Sequence, residues 1–178
     1  MIQDGIFAMK KRLKLIIVVV VSAFFVYLLY SSGILGIPAS KLEQDARSSQ
    51  HIDESWSVKK EVSNKIGAMI FYDEQSDESV FSIYLNRNGF SFGYFFYAGG
   101  SVGAIADGIA EFTYSDYGSA LLSMNHDKVE KIVFGNQNLS PISMDPMEPF
   151  AIILPDNCES FSLYDVNGKS IPITVYVN

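Results

Sequence analysis

The chain divides into two textures. Residues 15–37, 23 positions in all, carry no charge, and about 20 predominantly apolar residues in helix suffice to cross a bilayer core. Lys10, Lys11, Arg12 and Lys14 crowd the N-terminal flank, and no basic residue follows until Lys41. The positive-inside rule then keeps residues 1–14 cytoplasmic and sends the rest of the chain outside. The pattern predicts a transmembrane helix over 15–37, acting as a signal-anchor in a single-pass cell-membrane protein. The alternative is secretion after signal-peptide cleavage, with "SSG" at 31–33 as the site; the apolar run is about twice the length of a signal peptide's, which favours the uncleaved anchor.

Beyond Pro38, the stretch "ASKLEQDARSSQHIDES" is nearly free of apolar residues and reads as a polar stalk over 38–53. Val58, Val62 and Ile66 then recur every fourth position, predicting a short amphipathic helix over about 54–65. From Ile66 the texture becomes short runs of Val, Ile, Phe and Tyr between turn residues, the spacing of an antiparallel β domain. Strands are predicted at 66–72, 79–85, 90–98, 109–115, 119–125, 129–135, 149–154, 160–165 and 171–177, nine in number. "DVNGKS" is the sharpest turn signal, because Asn-Gly suits a type I′ hairpin. Alternation places Phe81, Ile83 and Leu85 opposite Val80, Ser82 and Tyr84, and sets Ile171, Ile173, Val175 and Val177 on one side. Half-buried strands of this kind suit an antiparallel β-sandwich over 54–178, one face core and the other partly wet. "AIADGIAEF" is ambiguous: Ile105, Ile109 and Phe112 also fit a helical stripe, and a helix there makes the domain α+β.

Charge follows the same division. The full chain carries a net −7, but residues 38–178 hold 9 Lys or Arg against 19 Asp or Glu, a net of −10. Such a field disfavours nucleic acid and anionic lipid surfaces, which require clustered basic groups. The single cysteine, Cys158, makes no intrachain disulfide; with no basic neighbour to lower its pKa it reads as a tolerated free thiol, which fits a bacterial exported protein.

Candidate chemistry is sparse. "AGGSVG" (98–103) lacks the Lys-Ser or Lys-Thr of a P-loop and has no βαβ context. Of the two histidines, His51 lies in the predicted stalk, and His126, near Ser123 and Asp127, has no nucleophile elbow and sits in an Asn-His-Asp turn. Asp73, Glu74, Asp77 and Glu78, with Asp145 and Glu148, offer oxygen ligands for Ca²⁺ but not at EF-hand spacing; zinc lacks a Cys or His cluster. No catalytic, metal-ligating or cofactor-binding residue is assigned, and no cofactor is expected. What remains is "FSFGYFFY", where alternation puts Phe90, Phe92, Tyr94 and Phe96 on one face as core, and Ser91, Gly93, Phe95 and Tyr97 on the other. Phe95 and Tyr97 are therefore the candidate partner surface.

The basic start, the single span, and "IGAMIFYDE", "GFSFGYFFYAGGS", "LLSMN" and "YDVNGKSIPI" together resemble small uncharacterised membrane-anchored proteins of Gram-positive bacteria. The resemblance is one of texture and order; it implies a surface location and carries over no activity and no functional residue. The leading expectation is a non-enzymatic, membrane-anchored extracytoplasmic domain that binds a protein or cell-envelope component. A small envelope hydrolase or Ca²⁺-dependent module is the first alternative, and a structural subunit of a membrane assembly is the second; the oligomeric state is left open.

Overall fold

A computed structural model describes residues 2–31, 34–76, 78–87, 92–101 and 108–177. The backbone of Ile2–Ser31 forms helix α1, a 3₁₀ turn covers Ala39–Lys41, and Leu42–Gln50 forms helix α2. Twelve strands follow: β1 (Ser57–Val62), β2 (Ile66–Tyr72), β3 (Ser79–Asn86), β4 (Tyr94–Gly100), β5 (Ile109–Tyr114), β6 (Gly118–Ser123), β7 (Val129–Phe134), β8 (Ile142–Ser143), β9 (Phe150–Ile153), β10 (Phe161–Asp165), β11 (Ser170–Ile171) and β12 (Val175–Val177). The protein is mainly β. The strands form three four-stranded sheets, ordered β1-β2-β3-β4, β12-β5-β6-β9 and β11-β10-β7-β8. All pairings are antiparallel except β12 with β5, which is parallel.

Three hydrophobic clusters bind four layers together. Ile66, Ala68 and Ile70 of β2, with Phe81, Ile83 and Leu85 of β3, pack on Ala110, Phe112, Ala120 and Leu122 of the middle sheet, and the Phe81 and Phe112 rings meet at 4.8 Å. The middle sheet's other face sends Ile109, Leu121, Phe150 and Ile152 into Val129, Ile132, Phe134 and Leu163 of the third sheet. On the outer face of the first sheet, Leu42, Ala46 and Ile52 cover Met69, Phe71, Tyr84 and Tyr94. Full burial of an aliphatic or Phe side chain contributes roughly 1.5–3 kcal/mol, so each interface is a substantial source of stability.

Residues 38–53 therefore do not form a stalk. Leu42 and Ala46 lie four apart on one face of α2 and are both fully buried, and two apolar residues at that spacing seat a nine-residue helix once a sheet face is there to receive them. Polar contacts fix its position: Tyr84 Oη donates to Asp45 at 2.6 Å, Gln50 Nε2 to Ser82 Oγ at 2.5 Å, and Lys60 to Glu43 at 2.6 Å. Arg47 donates to Glu43 and to the carbonyls of Asp53 and Trp56, with its guanidinium 5.0 Å above the Phe71 ring.

The helix predicted at 54–65 is instead β1, paired with β2 along its whole length. A repeat of four also fits every second residue of a strand: Val58, Lys60 and Val62 share the face toward α2, while Lys59 and Glu61 reach Glu148 and the amide of Ile153. The expectation of one wet face fails for the same reason. Ser82 and Tyr84 are completely buried, because α2 occupies the side that alternation assigned to solvent.

The uncharged N-terminal run is also divided. Helix α1 ends at Ser31, and residues 34–37 are extended and paired with the chain at β4. Along α1 every large apolar residue at positions 15–21 and 24–28 is exposed. Among the described residues no helix is long and apolar enough to cross a membrane. Residues 32 and 33 of the "SSG" site lie outside the described residues.

Eight of the nine predicted strands match single observed strands to within a few residues, although Phe90 and Ser91 of the third lie outside the described set. The ninth, 171–177, is broken around Pro172, so that β11 and β12 join different sheets. Ile109 and Phe112 belong to β5, not to a helix; Ile105 lies outside the described residues. The Asn-Gly hairpin forms between β10 and β11, but only Gly168 has positive φ (75°). With Gly168 N donating to Asp165 O, this is a three-residue loop closed by a left-handed glycine, not a type I′ turn.

Candidate functional site: the aromatic corner at β4

Strand β4 is an edge strand of the first sheet. Its start is closed by residues 34–37: Phe92 N donates to Ile34 O at 2.8 Å, Gly36 N to Phe92 O at 2.6 Å, Ile37 N to Tyr94 O at 2.7 Å and Tyr94 N to Ile37 O at 2.8 Å. The backbones approach so closely that a Cβ on Gly36 would lie 2.7 Å from Tyr94 O, and one on Gly93 (φ 92°) would lie 2.8 Å from Ile37 O. Only glycine is accommodated at such contacts. Tyr94 Oη donates to Ser63 O, tying the same strand to the β1–β2 turn.

A β-bulge then re-aims the strand. Tyr84 pairs with Phe96 but Ile83 pairs with Ala98, which leaves Tyr97 as the extra residue. Phe95, opposite Leu85, and Tyr97 both turn toward the middle sheet, at its margin. The Tyr97 ring meets Tyr114 edge-on at 4.7 Å yet remains 58% exposed; Phe95 is half-buried, with the Arg87 guanidinium 4.5 Å over its ring. The row expected to be core behaves differently. Tyr94 is buried beneath α2, whereas Phe92 is 68% and Phe96 46% exposed, because the helix covers only the middle of that row. Phe90 lies outside the described residues.

A recess of about 380 Å³ opens beside Tyr97, lined by Leu85, Thr113, Tyr114, Ser115 and Tyr117. Among the described residues the buried Tyr114 hydroxyl has no hydrogen-bond partner. Burial pushes its pKa up to about 12, with the neighbouring Tyr97 adding to the effect. The phenol therefore stays protonated at neutral pH, a buried donor beside the recess.

The other candidates are not assembled into chemistry. A larger cleft of about 450 Å³ is lined by Lys65, Glu111, Asp116, Asp156, Cys158 and Glu159, among others. Burial, then Glu111, raises the Cys158 thiol above its ordinary value, and Lys65 is paired with Asp156 at 2.8 Å. At the opposite end of the domain Ser123 donates to Gly108 O at 2.6 Å and accepts from the Asn125 amide. His126 is exposed in the turn beyond, so the sequence neighbours Ser123 and His126 share no contact that activates a nucleophile. The acidic loops are internally engaged: Asp73 caps Gln75 N and Ser76 Oγ, Asp145 caps Met147 N, and Glu148 pairs with Lys59. Among the described residues no group of three His, Cys, Asp or Glu is placed to hold a metal ion; Asp77 lies outside them. Ala98, Gly99 and Gly100 of "AGGSVG" lie in β4 itself, and the stretch's last two residues lie outside the described set.

Asn125 is the functional-looking residue that sequence reading passed over. Buried and left-handed (φ 61°), it accepts from Val129 N at 2.7 Å and donates to the carbonyls of Val129, Asp145 and Glu148. Every polar group of its side chain is thereby used to join two loops, its own β6–β7 turn and the 144–149 turn before β9. Its role is structural. The one signal in the sequence was an Asn in a turn, a residue type that tolerates positive φ.

No protein-family profile matches this chain, and no significant similarity to a curated protein or to a solved structure is found.

Proposed function

We propose that this chain is a membrane-anchored, extracytoplasmic, non-enzymatic binding domain, related in kind to the small anchored proteins of Gram-positive bacteria, its stacked sheets an elaborated β-sandwich. The recess beside Tyr97 takes a protein or cell-envelope partner. The observation that carries this reading is the Tyr97–Tyr114–Tyr117 recess beside the edge strand β4, next to a buried phenol with no partner among the described residues. Aromatic side chains around a polar donor are a common anchor for protein and sugar contacts. The membrane reading is supported by α1: an uncharged helical run exposed on all sides is unsuited to water and suited to lipid.

The test is a photo-crosslinking residue placed at Tyr97, and as a control at Val166, in the full chain expressed in its native membrane. A discrete adduct from position 97 and none from 166 supports the reading. Equal labelling at both positions, or hydrolytic turnover by the purified chain that His126→Ala abolishes, overturns it. Intact mass of the membrane-extracted chain checks the anchor: a mature N-terminus near residue 34 would identify the helix as a cleaved signal peptide.

A further inference from the structure

We propose that the outer corner of β4, where Leu35, Phe92 and Phe96 are exposed, rests in the headgroup layer of the bilayer that α1 crosses. This rests on the anchored reading above, and it places the domain against the membrane instead of on a stalk above it.

Reach is the first argument. Residues 15–31, the uncharged part of α1, rise about 25 Å at 1.5 Å per residue, whereas the hydrocarbon core is about 30 Å thick. The C-terminal end of the helix thus stays at the inner edge of the headgroups. Leu35 lies four residues further on, at most about 14 Å of extended chain, and it is bridged to Phe92 as part of the paired segment 34–37. A connection this short keeps the corner near the end of the helix. The tether that the sequence suggested at 38–53 is folded into α2 and adds no height.

Charge is the second argument. The exported region is strongly acidic, but residues 79–106 contain one charge, Arg87, and residues 15–40 none. Of the acids on α2, which packs on the same sheet face, Asp45 accepts from Tyr84 and Glu43 is paired with Lys60 and Arg47. The acid-poor corner is therefore the part of the domain that meets lipid phosphate with least repulsion.

Side-chain chemistry is the third. Leu35 is 41% exposed, beside the even more exposed Phe92 and Phe96. Three apolar side chains at one edge gain by partitioning to the depth at which aromatic residues concentrate in membrane proteins. Arg87, stacked on Phe95 nearby, supplies a cation at headgroup level.

The experiment uses the full chain in phosphatidylcholine vesicles with brominated acyl chains, which quench tryptophan at the bilayer. Trp56, the single tryptophan, is replaced by Phe, and one Trp is introduced at Phe92, Phe96, Phe24 or Val166 in turn. Val166 is exposed in the β10–β11 turn, at the domain end away from Tyr114. Should W56F fail to fold, Trp56 is kept and each quenching is read as the difference from the parent. F92W and F96W are expected to be quenched roughly threefold or more over V166W, with blue-shifted emission. If F24W is quenched while F92W and F96W match V166W, the resting corner is wrong and the anchor stands. If F24W is also unquenched, the anchored reading itself fails.

Discussion

At the end nearest α1, the β4 corner is held by backbone pairing through residues 34–37, by two glycines at van der Waals limits and by a tyrosine pair. At the opposite end, where Ser123 opposes Ile109 instead of Gly118 opposing Tyr114, one buried side-chain amide, Asn125, joins two loops. Among the described residues the first end keeps aromatic surface exposed and one phenol unpartnered; at the second, the Asn125 side chain has every polar group bonded. The end with exposed rings is thus organised by close main-chain contact, which leaves side chains free, while the other is organised by side-chain hydrogen bonds. The recess and the exposed rings are gathered at the first end, which is why the partner site is proposed there.

The largest effect is expected from the polar end. Asn125→Ala removes one acceptor and three donated bonds and puts a Cβ-only side chain at positive φ, so a loss of about 3 kcal/mol is expected in urea unfolding. Asn125→Asp should recover the bond from Val129 N and little else. A loss below about 1 kcal/mol for the alanine variant would mean the loops hold without the amide, and the contrast between the ends would collapse.

Next comes the glycine clamp. Gly36→Val drives a side chain into Tyr94 O and Gly93 and should cost about 2 kcal/mol, with the damage local. Hydrogen exchange should speed at the amides of residues 36, 37, 92 and 94 and stay unchanged at Asn125 and Val129. Uniform acceleration would show that the two ends are one cooperative unit.

The tyrosine pair predicts a pH dependence. The folded pKa of Tyr114 lies near 12, raised first by burial, above the usual value near 10 in the unfolded chain. Its contribution is complete below about pH 10 and is lost as pH rises from there through the folded value, at up to about 1.4 kcal/mol per pH unit. Tyr114→Phe should flatten that alkaline slope in thermal melts and, having no orphan hydroxyl to bury, should leave stability at pH 7 little changed. Tyr84 and Tyr94, also raised by burial, account for the slope that persists.

The smallest effect lies on the first turn of α2. Glu43 has its pKa lowered, chiefly by the bond from Lys60 and also by Arg47, against the opposing effect of burial. A depressed carboxylate stabilises above its unfolded pKa and loses that contribution as pH falls through the folded value. Glu43→Gln should therefore cost about 1 kcal/mol or less at pH 7 and nothing at pH 2 to 3, measured by urea titration at each pH.

The strands were legible because their signals are local. Short runs of β-branched and aromatic residues between Asn, Asp, Gly and Pro turns mark β2, β3, β5, β6, β7, β9 and β10 without reference to anything distant. Even double-sided burial has a trace in "IGAMIF", which is apolar on both faces of a strand. What local pattern mis-assigned is the cover of the first sheet. Leu42 and Ala46 are too few to announce a buried helix, and the four-residue repeat of Val58 and Val62 is shared by a helix and by alternate positions of a strand. The aromatic corner was half legible. Alternation marks Phe95 and Tyr97 as the second face of their strand, but the bulge at Tyr97 and the limited reach of α2 decide that Phe92 and Phe96 are exposed as well.

By itself, then, the amino-acid order determined the β class, most strand positions and the uncharged helix with its basic flank, since each is written in neighbouring residues. Only the tertiary structure decided that 42–50 is a packed helix and not a stalk, that 34–37 closes β4, and that Tyr97, Tyr114 and Tyr117 share a recess. Those outcomes depend on which surfaces meet across the chain, and a hydrogen bond from residue 36 to residue 92 leaves no mark on the residues beside either.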